Sequence, residues 1–175
     1  IFSTTVLMGV IMDAFQNILR KCQDIQAQSI SPIASVELAL EKMDVGDLGA
    51  LLVMDFSHLV GIFSERDYAR KILLKGKSSL TTPVYEVMTT NLISVTPEFC
   101  LTECLALMSS CHVRHLPVLD NNKVVALLGI EDVAFALIDN REFVIDELTT
   151  YITGSHDVIN ENPKLSHIFE TLAHH

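Results

Sequence analysis

The residues with the clearest chemical potential lie where an apolar strand is predicted to run directly into a helix, at Gly61 to Asp67 (GIFSERD). Ser64 is typical of a helix N-cap, because its hydroxyl accepts hydrogen bonds from N–H groups of the first turn, and Asp67 at the third helical position completes such a cap. The same groups also suit a ligand. N–H groups at a helix start attract phosphate, and a carboxylate accepts hydrogen bonds from both hydroxyls of a ribose. Capping and ligand binding both stay open on these residues alone.

Local charge favours an anion at this position. Between Ser64 and Lys77 five basic residues stand against two acidic ones, whereas the whole chain has 12 Lys and Arg against 22 Asp and Glu and a formal charge of −10. The overall charge argues against broad binding to nucleic acid or to an anionic membrane, so any phosphate site must be local. The five basic residues are Arg66, Arg70, Lys71, Lys75 and Lys77.

A second anion-competent pair, Arg114 and His115, stands at the start of a later predicted strand. Both side chains donate hydrogen bonds to phosphate oxygens, and we expect them at the mouth of the paired sheets. The alternative is an exposed strand end with solvated charges.

Two further patterns are weaker. Gly76-Lys77-Ser78 resembles the end of a Walker A loop, but it follows a helix, and Lys71 stands where the first glycine would be. Cys100 and Cys104, with Cys111 nearby, could suggest zinc, yet spacing of four on a helix equally fits a buried helix face and no C-x-x-C pair exists. We therefore expect no metal requirement, and no serine is organised as a catalytic nucleophile.

The four cysteines, at positions 22, 100, 104 and 111, lack the close and even spacing of a disulfide framework. They are interpreted as reduced thiols, which predicts an intracellular protein. The most apolar stretch, residues 1–12, is shorter than the roughly 20 residues that a membrane span requires.

An internal repeat determines the elements that position these residues. The string LLVMD (Leu51 to Asp55) recurs as LPVLD (Leu116 to Asp120), without a gap and at the same offset that separates Asp67 from Asp132. Other matches keep the same register: Ser31-Pro32 with Thr96-Pro97, Met43 with Met108, and Val60 with Val125.

Each copy shows a short extended piece ending at Pro, a helix, two apolar strands and a second helix, which predicts an α+β fold of two β-α-β-β-α repeats. Such a sheet cannot cover both faces alone, so the copies should pack as a pseudo-twofold pair. The predicted helices are Val36 to Val45 and Leu101 to Cys111; the strands are Ala50 to Met54, Leu59 to Phe63, His115 to Leu119 and Val124 to Leu128, with turns at residues 55–58 and at Asn121-Asn122.

The remaining segments complete the domain plan. An apolar stripe from Val6 to Leu19 predicts an N-terminal amphipathic helix, and Phe143 to Ile152 form a second, shorter helical stripe. The predicted organisation is residues 1–28 for the N-terminal helix, 29–77 for repeat 1, 78–93 for the linker and start of repeat 2, 94–154 for repeat 2, and 155–175 for a tail.

The strings GALLVMD, LVGIFSERDYARK, GKSS, TPVYEVMT, RHLPVLD and YITG resemble a cystathionine-β-synthase (CBS) domain pair, or Bateman module, of the small stand-alone type. The resemblance covers residues 29–154. It implies a non-catalytic regulatory module, usually dimeric, that binds adenine nucleotides or related adenosyl compounds between its two repeats.

The resemblance also implies roles for individual residues. The family signature falls on Gly61, Ser64 and Asp67, so Asp67 would hold the ribose and Ser64 the ribose or phosphate. Phosphate would be directed toward Arg66, Arg114 or His115. In the second repeat Asp132 is retained, but Gly129 replaces the hydroxyl and Ala126 replaces the glycine, which predicts a weaker second site.

Three hypotheses on function follow. The first is a sensor that binds AMP, ADP, ATP or NAD(H) as regulatory ligand, and that acts as a homodimer on an unknown regulated protein, with no nucleic acid or membrane partner. The second is a ligand-free dimerisation scaffold, and the third is the regulatory part of a longer enzyme. The cytoplasm is the default location, and a mitochondrial one is open because modules of this type also occur in organelles.

Overall fold

The first repeat forms the three-stranded sheet that its apolar pattern predicts. In the computed structural model, β1 is Ser29–Ile30, β2 is Ala50–Asp55 and β3 is His58–Ser64. Strand β1 pairs in parallel with β2, and β2 pairs antiparallel with β3, with a register shift between Val53 and Met54. Both hairpin strands are confirmed, with at most one further residue at each end.

The first helix, α1, is Val36–Gly46. It begins at Ser35, whose Oγ accepts a hydrogen bond of 3.2 Å from Leu38 N. It ends at Asp47 in the left-handed conformation, with φ of 49°. Its buried side chains recur at the helical period and face the sheet; they are Val36, Ala39 and Met43.

A second helical segment follows β3 without a break, and we call residues 65–75 the site helix. Its first turn, α2 (Glu65–Asp67), is α-helical, and it continues as a π-helical stretch over Tyr68–Ile72 and a 3₁₀ turn over Leu73–Lys75. Gly76 ends it at φ of 63°, a conformation that a residue without Cβ adopts at no steric cost. We call residues 77–94, which lead to the first helix of the second repeat, the connection; they contain a further 3₁₀ turn, Val84–Glu86.

The sheet is covered on both faces, as side-chain alternation along β2 requires. Leu51 and Val53 belong to a core cluster with α1, the site helix and the connection. Leu52 lies in a second cluster that includes Leu127. The first cluster also contains Ile30, Phe63, Ile72, Val84 and Val87, and the second also contains Ala50 and Ile62.

The second repeat repeats the helix and hairpin order. Its helix α3 is Leu101–Ser110, its strands are β4 (His115–Asp120) and β5 (Lys123–Gly129), and its last described helix, α4, is Ile130–Asp139. The turn at Asn121-Asn122 is confirmed, with φ of 47° and 62°. The extended piece expected before Pro97 is a single bridging residue, Val95, rather than a strand, so this repeat departs from the first.

Burial confirms the register of the repeat. Residues at matching positions of the two repeats are buried alike; examples are Leu51 with Leu116 and Phe63 with Leu128. A backbone hydrogen bond also recurs, from Glu65 N to the Gly49 carbonyl at 3.2 Å and from the matching Ile130 N to the Arg114 carbonyl at 2.9 Å. The α+β class with two repeats is thus confirmed.

The structure describes residues 18, 19 and 24–139, which divide into two compact units. One unit contains residues 24–94 and 117–127, and the other contains residues 18, 19, 95–116 and 128–139. Ile18 and Leu19 are helical and buried, while the rest of the predicted N-terminal helix, the stripe at 143–152 and the tail at 155–175 lie outside the described residues. Within the described part of the chain no helix is long and apolar enough to cross a membrane.

Candidate functional site

The candidate site begins at the junction of β3 with the site helix, where Ser64 and Asp67 form the predicted capping box. Ser64 N donates to Asp67 Oδ2 at 3.0 Å, and Ser64 Oγ donates to the same oxygen at 2.6 Å. In return Asp67 N donates to Ser64 Oγ at 3.3 Å. The capping interpretation is therefore confirmed, and it fixes both side chains in one turn of backbone.

The other carboxylate oxygen of Asp67 faces the connection between the repeats. Thr89 Oγ1 donates to Asp67 Oδ1 at 2.9 Å, and Lys71 Nζ lies 2.7 Å from the same oxygen. Asp67 is 8% exposed, one of two buried polar or charged residues among those described. A carboxylate is retained at such a place only when it is well paired, so its orientation is strongly fixed.

Gly61 serves close packing in this structure. A Cβ at this position would lie 2.6 Å from Met88 Sδ and 3.1 Å from the Thr89 carbonyl oxygen. The connection passes this close because Ile62 and Thr89 exchange two backbone hydrogen bonds, of 2.9 and 2.8 Å. The signature glycine thus allows the connection to add to the edge of β3 beside the Asp67 carboxylate.

The site helix contains more basic than acidic residues. Arg66 and Arg70 are exposed along it, and the partly exposed Lys71 lies between the Asp67 carboxylate and the connection. The corresponding helix α4 in the second repeat contains three acidic residues and no basic one; these are Glu131, Asp132 and Asp139. The two repeats therefore offer opposite electrostatic surroundings to an anion.

The corresponding signature of the second repeat, at Gly129 and Asp132, has fewer side-chain hydrogen bonds. Asp132 Oδ2 accepts a hydrogen bond of 2.9 Å from Gly129 N, which repeats half of the capping box, and Asp132 is exposed. A Cβ on Gly129 would lie 3.1 Å from that carboxylate oxygen. The arrangement supplies a carboxylate acceptor but no hydroxyl.

The predicted site residues are distributed over both units. Gly61, Ser64, Arg66 and Asp67 belong to the unit that contains the first repeat's sheet, and the structure brings these four together. The other three, Arg114, His115 and Asp132, belong to the second unit, where the Arg114 carbonyl is bonded to the first residue of α4.

From the sequence, Lys71 counts only toward the local positive charge and its pairing with Asp67 is not predicted, and Thr89 is missed. Lys71 stands four residues after Asp67, which is ion-pair spacing on a helix, so a local signal existed. Thr89 is 22 residues away from Asp67 along the chain. No local pattern predicts its contact.

Of the three described cysteines, Cys104 is buried, whereas Cys100 and Cys111 are half-buried. Cys104 is fully buried at the position that Ala39 takes in the first repeat, and burial raises its pKa. Burial likewise raises the pKa of Cys100 and of Cys111. Among the described residues no group of His, Cys, Asp or Glu is arranged to hold a metal ion.

Two repeats of a helix, a β-hairpin and a second helix, each with a carboxylate in the first turn of its last helix, are typical of a class of small regulatory ligand-binding modules. The CBS domain family matches residues 22–74 and 84–139, and the chain belongs to that family as a pair of CBS repeats.

Curated relatives support the assignment. The chain is 35% identical over 123 residues to the mitochondrial CBS domain-containing protein CBSX3 of Arabidopsis thaliana, covering 67% of this chain and 60% of the relative. It is 31% identical over 116 residues to YhcV of Bacillus subtilis, covering 66% and 82%. The chain thus matches somewhat less than two thirds of CBSX3.

Solved structures show the same fold. A protein with CBS domains from Burkholderia ambifaria MC40-6 is 38% identical, with a TM-score of 0.65 over 70% of this chain and 92% of that one. The CBS domain pair of protein MJ0100, in complex with 5-methylthioadenosine and S-adenosyl-L-methionine, is 25% identical, with a TM-score of 0.55 over 61% and 89%.

Proposed function

We propose that this protein is a non-catalytic sensor that binds an adenine nucleotide or a related adenosyl compound at Asp67 and thereby changes its affinity for a partner protein. The observation that supports this most is the Asp67 carboxylate, buried at 8% exposure and oriented by the Ser64 cap. An oriented carboxylate accepts two hydrogen bonds from the adjacent hydroxyls of a ribose, and the hydroxyl of Ser64, which donates to Asp67 and accepts from its N–H, has one acceptor position left.

Charge supports placing a phosphate-bearing ligand in the first repeat. The site helix brings Arg66, Arg70 and Lys71 to the same short segment as Asp67, whereas α4 beside Asp132 is purely acidic. A nucleotide phosphate is attracted by the first surface and repelled by the second. We therefore assign the tighter site to Asp67 and a weaker one to Asp132. Arg114 and His115 are further candidate donors to phosphate, and calorimetric titration measures their contribution.

The ligand class is supported by the relatives. MJ0100 binds two compounds that share an adenosine moiety, one with a sulfonium and one without. A ribose-directed site at Asp67 accepts any compound with that moiety, so AMP, ADP, ATP and NAD(H) are all candidates for this chain. Which group the site prefers at the 5′ position of the ligand then depends on the basic residues of the site helix.

Signalling requires that the ligand distinguish two conformations of the module. A ligand that binds both equally shifts no equilibrium, however tightly it binds. The regulated partner is therefore expected to bind the nucleotide-loaded and nucleotide-free forms with different affinities.

Calorimetric titration with AMP, ATP and NADH tests this function. A sensor gives saturable heat with at least one of them, at a stoichiometry of about one tight nucleotide per chain. Absence of heat with all three at high protein concentration contradicts the proposal and favours a scaffold.

A second candidate function, a dimerisation scaffold, is favoured by exposed apolar side chains on α4. Phe135 is 71% exposed and Ile138, one turn away, is 59% exposed. Large apolar side chains in contact with water on one helix face are typical of an interface, and a second copy of this chain is the occupant we propose. Light scattering should show a homodimer, and the double variant Phe135→Ser, Ile138→Ser should shift it toward monomer. Val45→Ser, at a more exposed position on α1, should not.

Location follows as a proposal from the relatives. CBSX3 is a mitochondrial protein, which supports an organellar location for this chain as the alternative to the cytoplasm. Immunodetection in purified mitochondria against the cytosolic fraction separates the two.

A further inference from the structure

All the acceptor positions of the Asp67 carboxylate are taken. Oδ2 receives the backbone N–H and the hydroxyl of Ser64, and Oδ1 receives the hydroxyl of Thr89 and the ammonium of Lys71. A carboxylate offers about four lone-pair positions, so a ribose cannot bind Asp67 unless donors now present give way.

The two oxygens differ in how easily their donors leave. The donors to Oδ2 come from Ser64 in the same capping turn, and losing them opens the start of the site helix. The donors to Oδ1 come from outside the turn, and both are accessible: the Lys71 side chain is 40% exposed, and Thr89 is exposed. An incoming hydroxyl therefore reaches Oδ1 first.

The same two side chains also attach the connection between the repeats. Lys71 Nζ donates to the carbonyl of Val87 at 2.8 Å, to that of Met88 at 3.3 Å, and lies 3.3 Å from Thr89 Oγ1. Lys71 thus bridges the carboxylate and three consecutive residues of the connection. Replacing the Thr89 donor at Oδ1 breaks a bond that holds the connection to the site.

The arrangement is specific to the first repeat. At the offset that relates Asp67 to Asp132, Ala136 takes the place of Lys71 and has no side-chain donor. Within the described residues Asp132 accepts one hydrogen bond, from Gly129 N. The shared fold does not by itself require the contacts that Lys71 and Thr89 make.

We propose that Lys71 and Thr89 form a latch that competes with the ribose of the ligand for Asp67 Oδ1, so that ligand binding releases the Thr89 side chain and loosens residues 87–89. This inference rests on the function proposed above. Because ligand and latch use one oxygen, each weakens the other by the same factor. The site therefore reports its occupancy through residues 87–89 of the connection.

Calorimetric titration of AMP into Thr89→Val tests the competition. Valine keeps the β-branched shape and the N–H and C=O groups that pair with Ile62 but has no hydroxyl, so one acceptor position at Oδ1 is open before the ligand binds. We expect binding about two- to tenfold tighter than in the parent, the equivalent of one typical hydrogen bond. Thr90→Val, the same change at the next exposed residue, should bind as the parent does.

The direction of the effect separates a latch from simple support. If Thr89 only positions Asp67 for the ligand, Thr89→Val binds more weakly, and weaker or unchanged binding overturns the latch while the proposed function stands. If AMP, ATP and NADH give no heat with the parent protein, the proposed function fails and the competition with it.

Amide hydrogen exchange provides a readout in the parent itself. Saturation with AMP should speed exchange at the amides of Met88 and Thr89, although ligand binding generally slows exchange across a protein. Without ligand, Thr89→Val should already show the faster exchange, and Thr90→Val should not. Slower or unchanged exchange of these two amides on AMP binding overturns the release.

Discussion

A Cβ on Gly61 would lie 2.6 Å from Met88 Sδ, closer than real side-chain carbons approach a sulfur. The glycine of the signature and the methionine of the connection are therefore fitted to one another. The absence of a Cβ lets the connection pair with β3 next to the Asp67 carboxylate, through the backbone hydrogen bonds between Ile62 and Thr89.

Gly61→Ala should destabilise the fold because the added methyl group forces Met88 and the Thr89 carbonyl away. We expect a loss of about 1–3 kcal/mol in the free energy of unfolding, measured by urea denaturation. In a Met88→Ala background the same change should cost less, since part of the clash is gone. Equal costs in the two backgrounds would contradict the packing role of Gly61.

Phe56, at the tip of the first hairpin, has an unfavourable backbone conformation and an exposed aromatic side chain. It is 97% exposed and adopts φ of 52°, whereas Asn121, at the matching position of the second repeat, suits the left-handed region. Phe56→Gly should raise the free energy of unfolding by about 1 kcal/mol, because it removes the left-handed strain and gives up no burial.

The neighbouring turn residue supplies the control for this prediction. Ser57 has no positive φ, so Ser57→Gly should leave stability unchanged or lower it. A loss of stability in Phe56→Gly would show that the aromatic side chain contributes to the fold through contacts of its own.

The cysteines within α3 and at its two ends should be poor nucleophiles. The thiolate is the reactive form, and burial raises the pKa of Cys100, Cys104 and Cys111, so less thiolate exists at a given pH than in a free thiol. Iodoacetamide labelling at pH 8, followed by peptide mass spectrometry, should be slowest at Cys104. Its rate should keep rising above about pH 9, where the rate of a free thiol levels off. Labelling in urea gives the unperturbed rate, and a Cys104 rate equal to it would contradict this account.

Local patterns predicted much of the fold. Helices α1 and α3 end within one residue of their expected limits, both hairpins have their expected turns, and the capping box at Ser64 and Asp67 forms as its spacing indicates. These features depend on residues a few positions apart, whose periodicity and turn chemistry are visible in the sequence.

The rest depends on where distant segments meet. The bond from Thr89 to Asp67 and the bonds from Lys71 to Val87 and Met88 require the connection to pass along β3, and no local pattern indicates that path. Gly61 was expected from the family signature, yet its packing against Met88 is visible only in the structure. The first strand expected in the second repeat is reduced to a bridging residue at Val95, and nothing in its local sequence indicates this.

Comparing AMP affinity in Asp67→Asn and Asp132→Asn tests the central claim most directly. Asparagine keeps the size of the side chain and one acceptor oxygen, so the cap at Ser64 is partly preserved, but the charge that receives the ribose hydroxyls is lost. Hydrogen bonds to a charged group contribute about 1.5–3 kcal/mol, so Asp67→Asn should weaken AMP binding by roughly ten- to a hundredfold in calorimetry, while Asp132→Asn changes it much less. Parental affinity in Asp67→Asn, or a larger loss in Asp132→Asn, would contradict a nucleotide site at Asp67.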